Sequence, residues 1–261
     1  MAASLSRELL ERFRSFIYDE FGIHHSAGKT DVLRMKLEKL SLARGVDLGA
    51  FLGKLETGDR VARDQLLDEI TVGHTFFFRE REHLDFLVAD ARARGIARPL
   101  VWCAASSTGE EAYSIAIALL DSGFTDFVVV ATDVNPTALG AVNRGEYPVG
   151  KLQFTEPKIA SRYFSRVDDA RVRVRRDLRS FLRVKRVNLR APVRFERDFD
   201  FVFCRNVMIY FDDDSRRRAL ENLAANLAPG GALFVGHTEA LLEIPTCMKK
   251  VGPAVFRKQV V

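Results

Sequence analysis

Apolar residues in the first 70 positions recur at three- and four-residue steps, which is the spacing of one face of an α-helix. Two runs have this spacing, and their apolar positions are Leu9, Leu10, Phe13, Phe16 and Ile17 in the first and Val32, Leu33, Leu37, Leu40 and Leu42 in the second. No alternating strand pattern interrupts them. The sequence therefore predicts an all-helical N-terminal domain over residues 1–75 and a linker helix over 76–98.

From residue 99 the pattern changes to short apolar runs that alternate with helical segments. The predicted strands cover residues 100–105, 127–133, 199–204 and 232–236, and the predicted helices cover 112–120, 136–144 and 213–227. Repeated strand, turn and helix units are typical of a doubly wound parallel sheet. The predicted fold class is therefore α/β, with the sheet domain over residues 99–261.

More than fifty residues separate the second predicted helix of this domain from the strand at 199–204, which is too long for a plain loop. Within that segment the apolar residues alternate with polar ones, and they are Val172, Val174, Phe181, Leu182, Val184 and Val187. Alternation with a period of two favours half-buried strands. We expect a small antiparallel β-subdomain inserted at about residues 147–190.

Composition narrows the class of protein. The chain is 47% hydrophobic and 29% charged, which excludes disordered and disulfide-scaffold proteins. Its three cysteines, Cys103, Cys204 and Cys247, form no CxxC pair, so free thiols are expected and a structural zinc site is not. No run is long enough to span a membrane, and the start lacks a signal-peptide pattern. We therefore expect a cytoplasmic protein without membrane insertion.

Basic residues are unevenly distributed along the chain. Between Arg171 and Arg197 there are eleven lysines and arginines against two acidic residues. Such a strip is either a solvated strand face or a site for an anionic partner, and an acidic protein surface fits as well as a nucleic acid, because the strip has only two aromatic residues for base stacking. Lys36 and Lys39 form a second basic stripe on a predicted helix, where a salt-bridged surface helix is the alternative.

The loop after the first strand, residues 104–109, contains only small residues and leads into a helix that begins with Glu110 and Glu111. It has neither of the glycine-rich phosphate-binding motifs, GxGxxG and GxxxxGK[ST], and two carboxylates at the start of the helix suit a cationic ligand group instead. Asp133 ends the next strand, where a carboxylate binds ribose hydroxyls. A ribose and an ammonium without a phosphate describe S-adenosylmethionine, although paired glutamates at a helix start are also ordinary capping.

Four segments resemble, in the same order, the signatures of the CheR family of chemotaxis-receptor methyltransferases. They begin at Ile70, Val101, Phe201 and Leu233 and read ITVGHTFFFRE, VWCAASSTGEEAYSIA, FVFCRNVMIYF and LFVGHTE. The resemblance implies a class I S-adenosylmethionine-dependent methyltransferase. Such an enzyme esterifies glutamate side chains in the cytoplasmic domains of methyl-accepting chemotaxis receptors, releases S-adenosylhomocysteine and uses no metal. A glutamate carboxylate is already ionised at neutral pH, so the reaction needs no general base.

The resemblance also implies roles for individual residues. Its cofactor-binding positions are Thr75, Arg79, Glu110 or Glu111, Asp133, Asn188, Leu189, Arg205 and Asn206. Arg79 and Tyr210 match the positions of the presumed catalytic arginine and of a tyrosine that helps to aim the acceptor. Two alternatives remain open at this point: Arg205 as a buried salt-bridge partner of Asp200, and Tyr210 as a packing residue.

The sequence departs from the family pattern in two places. Many members have asparagine where this chain has Gly73, so His74 is a candidate replacement for that cofactor contact. The connection at residues 165–171 is short, whereas members that bind a receptor's C-terminal pentapeptide have a longer, glycine-containing loop there. We expect no such tether and no nucleic-acid partner. The alternatives are a class I methyltransferase acting on another substrate such as RNA, and a non-catalytic regulator that binds S-adenosylmethionine.

Overall fold

The computed structural model describes residues 5–25, 30–239 and 243–260. Its N-terminal part is helical, as predicted, with α1 (Arg7–Phe21), α2 (Thr30–Arg44), α3 (Leu48–Glu56) and α4 (Arg60–Ile70). These helices enclose a core of their own, to which α1 contributes Phe13 and Ile17 and α2 contributes Leu37. Val32 and Leu42 do not extend that apolar face, because they are 51% and 74% exposed.

The remaining elements follow in the order α5 (Arg81–Ala93), β1 (Leu100–Ala104), α6 (Glu110–Asp121), β2 (Val128–Asp133), α7 (Pro136–Arg144), β3 (Glu146–Pro148), α8 (Pro157–Tyr163), β4 (Phe164–Arg166), β5 (Arg171–Val174), α9 (Arg176–Arg179), β6 (Leu182–Arg186), β7 (Phe199–Cys204), α10 (Asp213–Ala225), β8 (Leu227–Val235), β9 (Met248–Gly252) and β10 (Val255–Lys258). In the described part of the chain, no helix is both long enough and apolar enough to cross a membrane.

Seven strands form the main sheet, in the order β6-β2-β1-β7-β8-β10-β9 among the described residues. The sheet is mostly parallel, and β10 runs antiparallel to both β8 and β9. Both faces are covered, because Val101 and Cys103 pack in one core cluster while Trp102 and Ala104 pack in the other. This is the predicted doubly wound α/β fold, with strand order reversing between β1 and β7.

The predicted extent of the antiparallel insertion, about 147–190, is wrong at its C-terminal end. The small sheet β3-β5-β4 lies within residues 146–174, but β6 pairs in parallel with β2 in the main sheet, where Val184 is opposite Ala131. Strand β6 is an edge strand, with Leu182 buried and Arg183 exposed. An edge strand covered on one face alternates like a strand of an antiparallel sheet, so the pattern did not distinguish the two.

The lysines of the predicted basic stripe on α2 bind other groups of the same protein. Lys36 donates a hydrogen bond to the carbonyl of Ile70 at 2.9 Å, and Lys39 forms a salt bridge of 2.9 Å with Glu69. Burial lowers the pKa of Lys36, and the charge of Glu69 opposes that effect. The salt-bridged surface helix, rather than a free basic stripe, is what the structure contains.

Gly109 sets the geometry of the turn between β1 and α6. Its φ is +97°, and a Cβ at this position would lie 2.9 Å from Cγ2 of Val142 and 3.1 Å from the hydroxyl of Tyr147. A positive φ alone costs a residue with a side chain roughly 1–3 kcal/mol. We expect Gly109→Ala to lower the free energy of unfolding by more than this, because the packing clash adds to the backbone strain. Urea denaturation measures this.

The control for this variant is Gly123→Ala, since Gly123 also has a positive φ, +91°, but has no atom within 4 Å of the added methyl. It reports the backbone cost alone. Equal losses in the two variants would contradict the packing contribution at Gly109.

Candidate active site

A cleft lies at the carboxyl ends of β1 and β7, where the strand order of the main sheet reverses. It is lined by Val72, His74, Thr75, Arg79, Leu84, Ala105, Ser106, Ser107, Glu111, Ser114, Arg205, Asn206 and Val207. Five of the predicted site residues are in this lining, namely Thr75, Arg79, Glu111, Arg205 and Asn206. Ligands bind at this edge of doubly wound sheets, so the cleft is the candidate active site.

Three residues of the cleft have backbone conformations that are rare outside glycine. The φ angles of Ala105, Ser107 and Asn206 are +55°, +50° and +59°. Each such conformation costs about 1–3 kcal/mol and persists only where the surroundings enforce it. One enforcing contact is visible at Ser107, whose amide donates to Asp133 Oδ2 at 2.8 Å.

Asp133 lies at the end of β2 beside this loop. Its other carboxylate oxygen accepts a hydrogen bond from the amide of Asn135 at 2.9 Å. Burial raises the pKa of Asp133, and the amide donors of Asn135 and Ser107 partly offset that rise. The carboxylate thus holds the turn after β1 in place at the point where the sequence predicts a ribose contact.

The two neighbouring glutamates at the start of α6 have different surroundings. Glu110 is fully buried, lies 2.9 Å from Lys151 Nζ and is not among the residues that line the cleft. Glu111 lines the cleft and accepts a hydrogen bond from the thiol of Cys103 at 3.2 Å. Of the two candidates for a cationic ligand group, Glu111 is therefore the one that a ligand in the cleft can reach.

Arg205 is a buried ion-pair residue, with a side chain that is 2% exposed. Its guanidinium lies 2.6 Å from Glu111 Oε1 and 3.0 Å from Glu80 Oε2, and it also donates to the carbonyl of Arg79. Burial alone would lower the pKa of Arg205, but Glu111 and Glu80 more than offset this and raise it. Asp200, the partner considered from sequence, instead accepts a hydrogen bond from the amide of Leu100.

Glu239 anchors the loop that follows β7. Its carboxylate is 1% exposed and accepts backbone hydrogen bonds from Gly236, Asn206, Val207 and Ile209, over distances of 2.7 to 3.3 Å. The loop packs so closely that a Cβ on Gly236 would lie 2.6 Å from Asn206 Nδ2. This buried carboxylate fixes the backbone from Asn206 to the 3₁₀ turn Met208–Tyr210.

Arg79 and Tyr210, the predicted catalytic pair, lie on different segments. Arg79 lines the cleft, and its guanidinium lies 5.7 Å from the ring centre of Phe76. Burial raises the pKa of Tyr210, and the charge of Arg79 acts against that rise. Tyr210 is not among the residues that line the cleft, so the electrostatic effect of Arg79 is what links the two side chains.

Residues of the insertion between α7 and β6 contact the segment that precedes Arg79 and hold it in place. Lys151 donates to the carbonyl of Thr75 at 2.6 Å, and Phe76 contacts Phe154 with ring centres 4.9 Å apart. His74 is exposed and lines the cleft, and Gly73 is next to it. A histidine at this position can therefore reach a ligand, as considered from sequence.

Asn188 and Leu189 are not in the cleft lining. The side-chain amide of Asn188 donates to the carbonyl of Glu20 at 2.6 Å and so joins the sheet domain to α1. Leu189 is buried in the core, and its carbonyl accepts a hydrogen bond from Asn222. Their predicted contacts with a cofactor stay predictions.

Sequence reasoning assigned no role to Glu80, Lys151 or Glu239. Glu80 and Glu239 are within the segments that resemble the family, but the residues they bind are distant in sequence. The partner of Glu80 is 125 residues away, and three of the amides that donate to Glu239 are 30–33 residues away. Lys151 is in a segment without any recognisable pattern. Only the spacing of Glu239 after Gly236, at the end of a buried strand, was a usable signal.

We expect Glu239→Gln to lower the free energy of unfolding by about 1–3 kcal/mol, because an amide keeps the shape but loses the charge that four backbone N–H groups share. Urea denaturation measures the change. The matched control is Glu221→Gln, since Glu221 is exposed and has one salt bridge, with Arg217. Indistinguishable unfolding midpoints for the two variants would contradict the anchoring role.

Comparison with known proteins identifies the family. Residues 73–256 match the family model described as CheR methyltransferase, SAM binding domain. The chain is 35% identical over 264 residues to chemotaxis protein methyltransferase 2 of Pseudomonas aeruginosa, with 96% of this chain and 93% of that protein aligned. It is 37% identical over 246 residues to the chemotaxis protein methyltransferase of Salmonella typhimurium, with 90% and 85% aligned. The Escherichia coli protein of that name is 35% identical, with 97% and 91% aligned. The chain therefore belongs to the CheR methyltransferase family.

Proposed function

We propose that this protein transfers a methyl group from S-adenosylmethionine to glutamate side chains of methyl-accepting chemotaxis receptors, giving glutamyl methyl esters. The observation that carries the proposal is the placement of two carboxylates at the loop after β1, which has no phosphate-binding motif: Glu111 lines the cleft and Asp133 accepts a hydrogen bond from the amide of Ser107. The family membership of the chain and the printed names of its relatives support the same activity.

The residues around the cleft fit the proposed cofactor. Glu111 supplies a carboxylate for the methionine ammonium, and Asp133 supplies one for the ribose hydroxyls. The guanidinium of Arg205 holds Glu111 in position through a salt bridge of 2.6 Å to Oε1, and Glu239 accepts a hydrogen bond from the backbone amide of Asn206. Thr75, Asn188 and Leu189 complete the proposed set. When bound, S-adenosylmethionine supplies a methyl group made electrophilic by the sulfonium.

The protein's own part in the reaction is to orient an ionised carboxylate and to exclude water. Arg79 supplies a positive charge at the cleft that attracts and aligns the acceptor glutamate. A tight two-point clamp would withdraw electron density from the nucleophile, so a positioning role is favoured over a binding one. The hydroxyl of Tyr210 helps to aim the acceptor oxygen, and no side chain has to remove a proton.

The proposed partner is the cytoplasmic domain of such a receptor, bound without a C-terminal pentapeptide tether. The connection from β4 to β5 supports the latter point, since four residues close it and the amide of Val167 donates to the carbonyl of Arg171 at 3.0 Å. A cytoplasmic location agrees with the free thiols at Cys103 and Cys204, which are buried.

A nucleic-acid substrate has weaker support, because five of the eleven basic side chains of the strip are paired with carboxylates in three dimensions. Five of its arginines lie within 4 Å of carboxylates, and these are Arg171, Arg173, Arg175, Arg186 and Arg194. Glu146 and Asp64, two of the acidic partners, are distant in sequence. The strip's net field is therefore smaller than its composition indicates.

The activity is tested by incubating the protein with methyl-labelled S-adenosylmethionine and cytoplasmic receptor fragments. Base-labile label in the receptor is the expected result. Receptor fragments with glutamine at the acceptor positions are the control. Label in structured RNA would favour the other class I methyltransferase, and cofactor binding without transfer to any acceptor would favour a regulatory protein.

We expect Asp133→Ala to weaken binding of S-adenosylhomocysteine by about 1–3 kcal/mol, because charge-assisted hydrogen bonds to the ribose are lost. Isothermal titration calorimetry measures the affinity. Asp126→Ala is the matched control, since Asp126 lies before the other end of β2, is exposed and pairs with Arg98. An unchanged affinity in Asp133→Ala would remove Asp133 from the proposed site.

We expect Tyr210→Phe to lower kcat on a receptor fragment about 10- to 100-fold while affinity for S-adenosylhomocysteine holds, since one hydrogen bond to a charged group is lost mainly in the transition state. Arg79→Ala should lower both quantities, because Arg79 is also a proposed cofactor contact, and Arg79→Lys should recover little, because an ammonium lacks the planar fork.

Tyr163→Phe is the control, because Tyr163 is a buried tyrosine that bonds Asp121. Wild-type turnover in Tyr210→Phe or Arg79→Ala would show that the assigned roles are wrong and would direct attention to His74.

A further inference from the structure

Three side chains that could share a metal ion meet at the start of α5, apart from the cleft lining. They are Glu80, His83 and His237, and one ligand atom from each lies within 4.8 Å of the others. Glu80 precedes α5, His83 is in its first turn, and His237 is in the 3₁₀ turn after β8. The cluster thus joins α5 to the carboxyl end of β8.

His83 is placed between two hydrogen-bond acceptors. Its Nε2 lies 3.2 Å from the carbonyl oxygen of Pro253, and its Nδ1 lies 3.5 Å from Glu80 Oε2. A neutral imidazole has only one N–H, so one of its nitrogens must face an acceptor with a lone pair. Nε2 has the better hydrogen bond, and Nδ1 is buried without a hydrogen-bond partner, in a side chain that is 2% exposed.

The tautomer with the N–H on Nε2 leaves the Nδ1 lone pair facing Oε2 of Glu80 across 3.5 Å, so two electron-rich atoms meet there. A cation bound between them would satisfy both atoms.

We propose that Glu80, His83 and His237 bind a Zn²⁺ ion, with a water molecule in the fourth position. For ligands at about 2.0–2.1 Å in tetrahedral geometry, neighbouring donor atoms are roughly 3.4 Å apart, close to the 3.5 Å between Nδ1 of His83 and Oε2 of Glu80. A metal-binding histidine usually donates its other N–H to a carbonyl or a carboxylate, as His83 does to Pro253. Two imidazoles and one carboxylate are a donor set that suits zinc.

The charges around the cluster favour a divalent cation. Arg205 is 3.0 Å from the same oxygen of Glu80, but Glu111 neutralises it from the other side. Glu82 adds a second carboxylate, 3.1 Å from Nε2 of His237. Glu80 and Glu82 thus place two carboxylates at the cluster. The ion would fasten α5, which follows Arg79, to the end of β8.

This inference departs from the expectation of no metal, which came from the cysteine spacing and the family resemblance. Glu80 and His83 are three residues apart, but His237 lies more than 150 residues further along the chain, so the three show no recognisable spacing in the sequence. The inference is independent of the proposed methyl transfer, so metal binding and catalysis are measured separately.

The test uses the full-length protein without a polyhistidine tag. After dialysis against Zn²⁺, elemental analysis should give about one zinc per chain, and Co²⁺ should give visible d–d absorption typical of four-coordinate sites. His83→Ala and His237→Ala should each weaken Zn²⁺ binding by at least about 100-fold in a competition titration with a chromophoric chelator. His24→Ala is the matched control, because His24 is exposed and outside the cluster; it should bind like wild type.

His83→Ala also removes buried packing, so His237→Ala is the decisive variant, since its side chain is 46% exposed. A rise in the thermal midpoint with Zn²⁺ in wild type, absent in His237→Ala, would support the proposal. A wild-type protein that binds no Zn²⁺ at micromolar concentrations, or a His237→Ala variant that binds it as tightly as wild type, would overturn it.

Discussion

The buried ion pair of Arg205 with Glu80 and Glu111 is the interaction on which the site depends. It joins the residue just before α5, the first turn of α6 and the end of β7, which are far apart in sequence. Removing one member of a buried ion pair leaves an uncompensated charge and typically costs about 3–5 kcal/mol. The three elements that form the cleft are therefore fixed relative to one another by one guanidinium, which also donates to the carbonyl of Arg79.

The insertion and the N-terminal helices reach the same cleft from outside. Lys151 connects the insertion to Glu110 and to the carbonyl of Thr75, so the segment that leads to Arg79 is held at its start. From the helical side, Tyr18 donates to Asp212 at 2.8 Å, and Ile23 pairs with Phe211 next to Tyr210. Arg79 and Tyr210 thus lie on segments that other parts of the chain support, which suits the positioning roles proposed for them.

Sequence reasoning predicted the fold class, and five of its candidate site residues lie together in one cleft, because both depend on local signals. Buried strands read as short apolar runs, and the small residues after β1 mark the point where backbone approaches a ligand. It failed where the outcome depends on neighbours distant in sequence. The edge strand β6 has the alternation of an antiparallel strand, and the arginines of the basic strip find partners such as Asp64 that no count along the chain includes. Glu110 and Glu111 are adjacent and chemically identical, so the sequence did not show which of them lines the cleft, and only their burial in the structure distinguishes them.

Four glutamates lie near the cleft, and three arrangements of positive charge or backbone N–H groups serve them. Lys151 lies against Glu110, four backbone N–H groups donate to Glu239, and Arg205 lies between Glu80 and Glu111. Because one guanidinium serves two carboxylates, this pair of glutamates retains one negative charge in excess. Glu111 is the member that faces the cleft, so the excess charge is available to a cationic group there. The same sharing that fixes the cleft therefore also gives it a preference for a positively charged ligand over a phosphate.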